Sequence, residues 1–348
     1  MAINAGPVAS SSRYDTERSR TLAMPGPPPA SDKLETVWAF VQPALDHILT
    51  ASSPGSEPAR IDAAYYSHIY TALYNLSTAA PNSRADSGTG GALAGLASLR
   101  LFGGQVPRYS PTGKHREIGP NDSDAVADQI DHGPYLRLEH TFRRHAQGIL
   151  DAAPVNDSQL VDYLLAQYDR YNRSAAYIAR LFSYLHRHFV RRMVAAGHGW
   201  LDTAPRETIS ELVRSLPLRR PTEREIEERI TNEIQARRLT ELKKWGYSPG
   251  SNVRSRETEA AAEACAEAAS SPGKIVPVIS LALRQWRTEV LEPLTVDGRL
   301  PRAVILLVRR PSSKDKIPER VQRMLKSCGV RGVDPSRKTL KRHLQPHK

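Results

Sequence analysis

The sequence predicts an all-α fold. Apolar residues recur at steps of three and four through most of the chain, and no window alternates convincingly with period two. Composition agrees: 348 residues, 25% charged and 40% apolar, are ordinary for a soluble globular protein and enough to bury a substantial core. The 26 prolines and 21 glycines cluster, so helical blocks should alternate with loose segments.

Taken in order, residues 1–30 read as a disordered leader, too polar and proline-rich to pack. Ser31 or Asp32 is expected to cap the first helix, with Glu35 near its third position. Leu34, Trp38, Val41, Leu45 and Ile48 then form an amphipathic stripe. After a loop at 52–58, a second helix over 60–79 places Tyr66, Tyr70, Leu73 and Ser77 on one face, with Ile69 and Leu76 beside it. Residues 80–133 show no sustained period beyond a helical turn near 91–101, and predict a long flexible insertion, disordered over 97–133. A third helix is expected over 135–152, a fourth from Ser158 towards Tyr168, and a fifth over Tyr171–Arg192.

Residues 197–205 break the pattern. A charged helical pair follows over 206–246. Its second member opens on a Thr222/Glu225 capping box, carries Ile226, Ile230 and Ile234, and stops at Gly246 behind Lys243 and Lys244. Residues 247–273 read as a partly helical linker. From Lys274 onward a helix sets Ile279, Leu283, Trp286, Val290 and Leu294 on one side, and a last one covers 302–308.

Charge is unevenly placed. Residues 309–348 hold thirteen Lys/Arg against three acidic residues, a net of +10 out of +12 for the whole chain. The basicity therefore belongs to a tail, read here as a disordered end, which weighs against nucleic acid as a partner of the nearly neutral body. Two cysteines cannot build a disulfide framework and point to a reducing compartment, cytoplasmic or nuclear. The first residues lack the pattern of a signal peptide, and the aliphatic run 303–308 is too short to span a bilayer, so no membrane partner is expected.

Catalytic patterns are missing. The run GTGGALAG at 88–95 has no preceding strand and no following GK[ST], and G-x-S-x-G, H-E-x-x-H and C-x-x-C do not occur. His186 and His188 lie about 200° apart around a helix and cannot chelate one ion by themselves. No catalytic residue, metal ligand or cofactor is expected, and the chain reads as a non-enzyme.

The segment Tyr171–Arg192 carries the most information. Tyr171, Ala175, Ile178, Phe182, Leu185 and Phe189 make one stripe, with Tyr177, Leu181, Tyr184 and His188 beside it. Arg173, Arg180 and Arg187 step by seven along a third face. A helix apolar over so much of its surface is either central in a bundle or packed on both its own core and a partner.

These residues resemble a known family. WAFVQPALDHIL, YYSHIYTALYNLST, YDRYNRSAAYIARLFSYLHRHFVRR and ISLALRQWRTEVLEPL are similar, in that order, to the amino-terminal region of cullins, the scaffolds of ubiquitin ligases. The cullin run Y-L-N-R-H-[WF]-V-[RK]-R stands here as Tyr184–Arg192, Y-x-x-x-Y-[TS]-x-[VL]-Y-N as Tyr66–Asn75, and L-A-L-x-x-W-R as Leu281–Arg287. The resemblance covers about 34–80, 135–195 and 274–310.

It implies a five-helix cullin repeat over 31–195, a charged insertion and linker over 196–273, an incomplete second repeat over 274–310, and an out-of-family tail over 311–348. It further implies a scaffold docking a Skp-family adaptor with its F-box protein. By position, the docking face would use Tyr66, Ile69, Tyr70 and Leu73 from the second helix and Arg173, Ala176, Tyr177 and Arg180 from the fifth. Nothing after Arg310 resembles the region that recruits a RING-box subunit, so that partner is not expected. An unclosed second repeat would leave Leu283, Trp286, Val290, Ile305 and Leu306 without a normal partner surface, which predicts marginal order or self-association. The alternative is a basic helical protein acting on nucleic acid through residues 309–348.

Overall fold

The computed structural model describes residues 27–29, 33–51, 59–79, 133–201, 222–249, 255–309 and 316–345. The expected caps Ser31 and Asp32, nearly all of the leader, the insertion 97–133 apart from Gly133, and the first helix of the charged pair lie outside them.

Four helices make the first layer. They are α1 (Leu34–Thr50), α2 (Ala63–Ala79), α3 (Gly133–Asp151) and α4 (Asp157–Leu181). Val41, Leu45 and Ile48 of α1 meet Tyr65 and Ile69 of α2, Leu138 and Phe142 of α3, and Leu164, Ala175 and Ile178 of α4, all buried. Two hydroxyls fix the register: Tyr65 donates to the Phe40 carbonyl at 2.6 Å and Ser174 to that of Ile48 at 2.8 Å.

The expected fourth and fifth helices are continuous. Asn156 caps α4 by accepting the Ser158 N–H, and 25 residues run unbroken to Leu181 because no Gly or Pro interrupts them. The break falls instead at Phe182. There α5 (Ser183–Leu185) resumes and widens into π-helical turns at His186–Val190 and Val194–His198, the second kinked at Gly197 with φ of 93°.

The later helices build onto this layer. Helices α6 (Glu223–Lys244) and α7 (Ser255–Ala269) form a pair. The Thr222/Glu225 capping box is present. Leu242, Trp245, Tyr247, Ala262, Cys265 and Ala266 close a small core of their own. Arg238 ties the pair together, 2.6 Å from Glu259 and 2.8 Å from Glu263. The supposed linker is thus largely the packed helix α7.

Helix α8 (Val278–Trp286) continues through a π-helical turn at Arg287–Leu291 to Val296. Its Trp286, fully buried, sits against Tyr168 and Tyr171 of α4 at ring separations of 5.7 and 5.1 Å. Leu283 and Val290 are buried as well. The expectation that these residues lack a partner surface is therefore overturned: α3 and α4 supply it. Of the five residues named for it, only Ile305 and Leu306 remain partly exposed, at 40% and 42%. Both lie on α9 (Arg299–Arg309), which packs along α4 and is pinned by Arg299 and Arg302 to Asp157 at 3.2 and 2.9 Å.

The tail is corrected too. Residues 317–327 and 335–344 form α10 (Ile317–Ser327) and α11 (Pro335–Leu344), not a disordered end. Val321, Met324, Leu325 and Leu340 turn into the common core. Ser327 and Tyr168 share a hydrogen bond of 2.7 Å, and Arg320 pairs with Asp169 at 2.6 Å. No strand occurs among the described residues, both cysteines are free and buried, and no described helix is long and apolar enough to cross a membrane.

Candidate functional site

Helix α2 places Tyr66, Tyr70 and Tyr74 one turn apart on one side, where each meets an aromatic ring of α4 or α5. Tyr66 lies edge-on to Tyr177 at 6.3 Å, Tyr70 to Tyr184 at 6.3 Å, and Tyr74 to Tyr184 at 5.0 Å. His188 stacks on the far face of this seam, 4.1 Å from Tyr184. Arginines rim it. Arg180 stands over the Tyr177 ring at 5.7 Å, and Arg187 donates to the Tyr70 hydroxyl at 3.0 Å.

Below the seam, the start of α2 and the middle of α4 diverge and leave a groove of about 720 Å³. Arg60, Ile61, Ala63 and Tyr66 form one wall, and Arg173, Ala176, Tyr177 and Arg180 the other. Three arginines and no carboxylate line it, so the groove favours an acidic occupant. The buried Nε of Arg173 makes no hydrogen bond with the described protein. Burial, reinforced by Tyr177, raises the pKa of Tyr66, with Arg180 opposing, so this phenol stays protonated and can donate.

Five of the eight positions expected from the sequence therefore line one groove: Tyr66, Arg173, Ala176, Tyr177 and Arg180. Tyr70 lies one turn further along the seam, half-buried. Ile69 and Leu73 do not belong to it. They are 0% and 3% exposed and face the core, so a partner cannot touch them without unpacking the bundle. The reason is helical phase: with Tyr65, they form the inward stripe 65–69–73, which runs beside the outward stripe 66–70–74. Arg60, Ile61 and Ala63 were missed, because nothing in the residues leading into a helix and in its first position marks which neighbour they will face.

A second hollow of about 470 Å³ lies among α1, α3 and α4. There Arg144 pairs with Asp46 at 3.1 Å, and His145 stacks flat on Tyr171. Burial, with Arg170 adding to it, pulls the His145 pKa down to about 4, so the imidazole is neutral at pH 7. His188 stacks on Tyr184, while burial and then Arg191 lower the pKa of His186. Among the described residues no group of His, Cys, Asp and Glu could hold a metal ion. The groove is equipped for recognition by charge, ring faces and hydrogen bonds. Compared with protein-family models, with characterised proteins and with solved structures, the chain matches none.

Proposed function

We propose that the α2–α4 groove and its aromatic seam are the docking face of a cullin-like scaffold, which takes a Skp-family adaptor carrying an F-box protein. The observation that supports this reading most directly is the convergence of Tyr66, Arg173, Ala176, Tyr177 and Arg180, named from the family resemblance, on one basic groove. Tyrosine and arginine beside a concave surface are the residue types that anchor protein interfaces. On this reading the chain has no reaction of its own and works in the cytoplasm or nucleus by holding a substrate-bearing module.

Capture of a purified Skp-family adaptor by the full chain is the test. The double variant Tyr66→Ala/Tyr177→Ala should weaken capture by roughly 30-fold or more, as loss of an aromatic hot spot does. Undiminished capture would remove the groove from the interface. Failure of the unaltered chain to capture any such adaptor overturns the reading itself.

A further inference from the structure

We propose that α10, α11 and the turn joining them form a binding face for the phosphate backbone of a nucleic acid. This is independent of the α2–α4 groove. It rests on what folding does to the basic tail. The apolar residues Val321, Met324, Leu325 and Leu340 are consumed by the core, which fixes both helices against α4, α7 and α9. The cations are left outside. Lys316, Arg323, Arg331, Lys338, Lys341 and Arg342 are all exposed, and none has an ion pair with a carboxylate among the described residues.

Local acids do not cancel this charge. Within 316–345 the carboxylates are Glu319 and Asp334, and Asp334 is engaged at the start of α11, accepting from the Ser336 N–H at 2.8 Å. Arg320 and Arg337 do not count towards the face, since Arg320 pairs with Asp169 and Arg337 donates to the Val330 carbonyl at 2.7 Å. On α11 itself, Lys338, Lys341 and Arg342 are spaced to share one side of the helix.

The chemistry of the face selects among polyanions. A bilayer surface would require apolar side chains to insert beside the cations. A protein partner would require aromatic or aliphatic anchors. Val333 is the one large apolar side chain of 316–345 that is exposed, and the segment contains no Phe, Trp or Tyr. What remains is a rigid array of positive charge, which suits a regular array of phosphates. Without a ring to stack on bases, recognition is of the backbone and indifferent to sequence.

Fluorescence anisotropy of the full chain with a labelled 20-base-pair DNA duplex and a 20-nucleotide RNA, both of mixed sequence, tests this. Six contacts predict that affinity for duplex falls about 10³-fold between 50 and 200 mM salt. Lys338→Gln/Lys341→Gln/Arg342→Gln should lower the slope of log K against log salt by about 3, whereas Lys243→Gln/Lys244→Gln on α6 should leave it unchanged. Circular dichroism melting confirms that the triple variant remains folded. Absence of binding at 50 mM salt overturns the proposal. So does a salt slope that the triple variant does not alter, or tighter binding to phosphatidylserine vesicles than to either nucleic acid.

Discussion

The Tyr135 hydroxyl and the Val276 peptide unit exchange two hydrogen bonds across 141 residues of sequence. The hydroxyl donates to the Val276 carbonyl at 3.1 Å and accepts its N–H at 3.0 Å. Burial pushes the phenol up to about 12, so the proton stays in place. Beside it the Ile275 N–H donates to the His198 carbonyl at 2.8 Å. The segment leading into α8 is thus tied to α3 and to the end of α5 at adjacent residues. Tyr135→Phe keeps the ring but orphans both buried groups of Val276, and should cost about 1–3 kcal/mol in urea unfolding.

Trp286 carries the second tie. Its side chain is fully buried between α4 and α8, and Tyr171 beside it donates to the Ala282 carbonyl at 3.0 Å. Trp286→Ala should therefore cost about 3–5 kcal/mol and lower the stability of the whole molecule in one transition. A second transition, with the α1–α4 layer melting unchanged, would show that residues 274–310 fold separately.

Stability against pH should hide two opposed contributions. Glu267 accepts from Ser280 at 2.6 Å, yet burial, with Glu263 adding to it, raises its pKa to about 7 from an ordinary 4.5. Its folded form holds a proton that the unfolded form releases, so its contribution is full below about 4.5 and is lost as pH rises through 7. His145 is shifted the other way, from 6.5 to about 4, so its contribution is full above 6.5 and is lost as pH falls through 4. Glu267→Gln should leave a stability that falls on acidification between pH 6.5 and 4.5, and His145→Gln one that falls on raising pH through the same range. Urea midpoints at half-unit pH intervals read both slopes.

Gly329 marks where the tail meets the α6–α7 pair. Its φ is +77°, and a Cβ there would lie 2.3 Å from the Ala269 backbone nitrogen. Gly329→Ala should cost about 2–5 kcal/mol, combining left-handed strain with a backbone collision. Gly273 has φ of +85° but open space around the same position, so Gly273→Ala should cost only about 1–2 kcal/mol. Thermal unfolding of the two variants separates conformation from contact.

The thiols near that junction should be inert. Burial raises the pKa of Cys265 and, more strongly, that of Cys328, which is fully enclosed. Alkylation by iodoacetamide at pH 8 should proceed at Cys328 no faster than the protein opens, and urea should accelerate it.

Much of the chain was legible without coordinates. The stripe through Leu34, Trp38, Val41, Leu45 and Ile48 and the Thr222/Glu225 box required only helical spacing and hydrogen-bond chemistry within one turn, and both elements are present. In the candidate site, the family resemblance named Tyr66, Arg173 and Arg180, which line the groove, but it also named Ile69 and Leu73, which face the core. One residue type can serve either face of a helix, and only the position of the neighbouring helix decides which.

What the sequence by itself determined is local: the all-α character, the approximate spans of α1, α2, α3 and α6, and the concentration of charge after residue 308. Tertiary structure decided the rest. It closed the core of α8 against Tyr168 and Tyr171, made the tail into two packed helices, and opened the groove between Arg60 and Arg173. Periodicity records that a helix has an apolar side. It does not record which distant segment will cover that side, because burial energy depends on area removed from water and not on the covering residues' place in the chain.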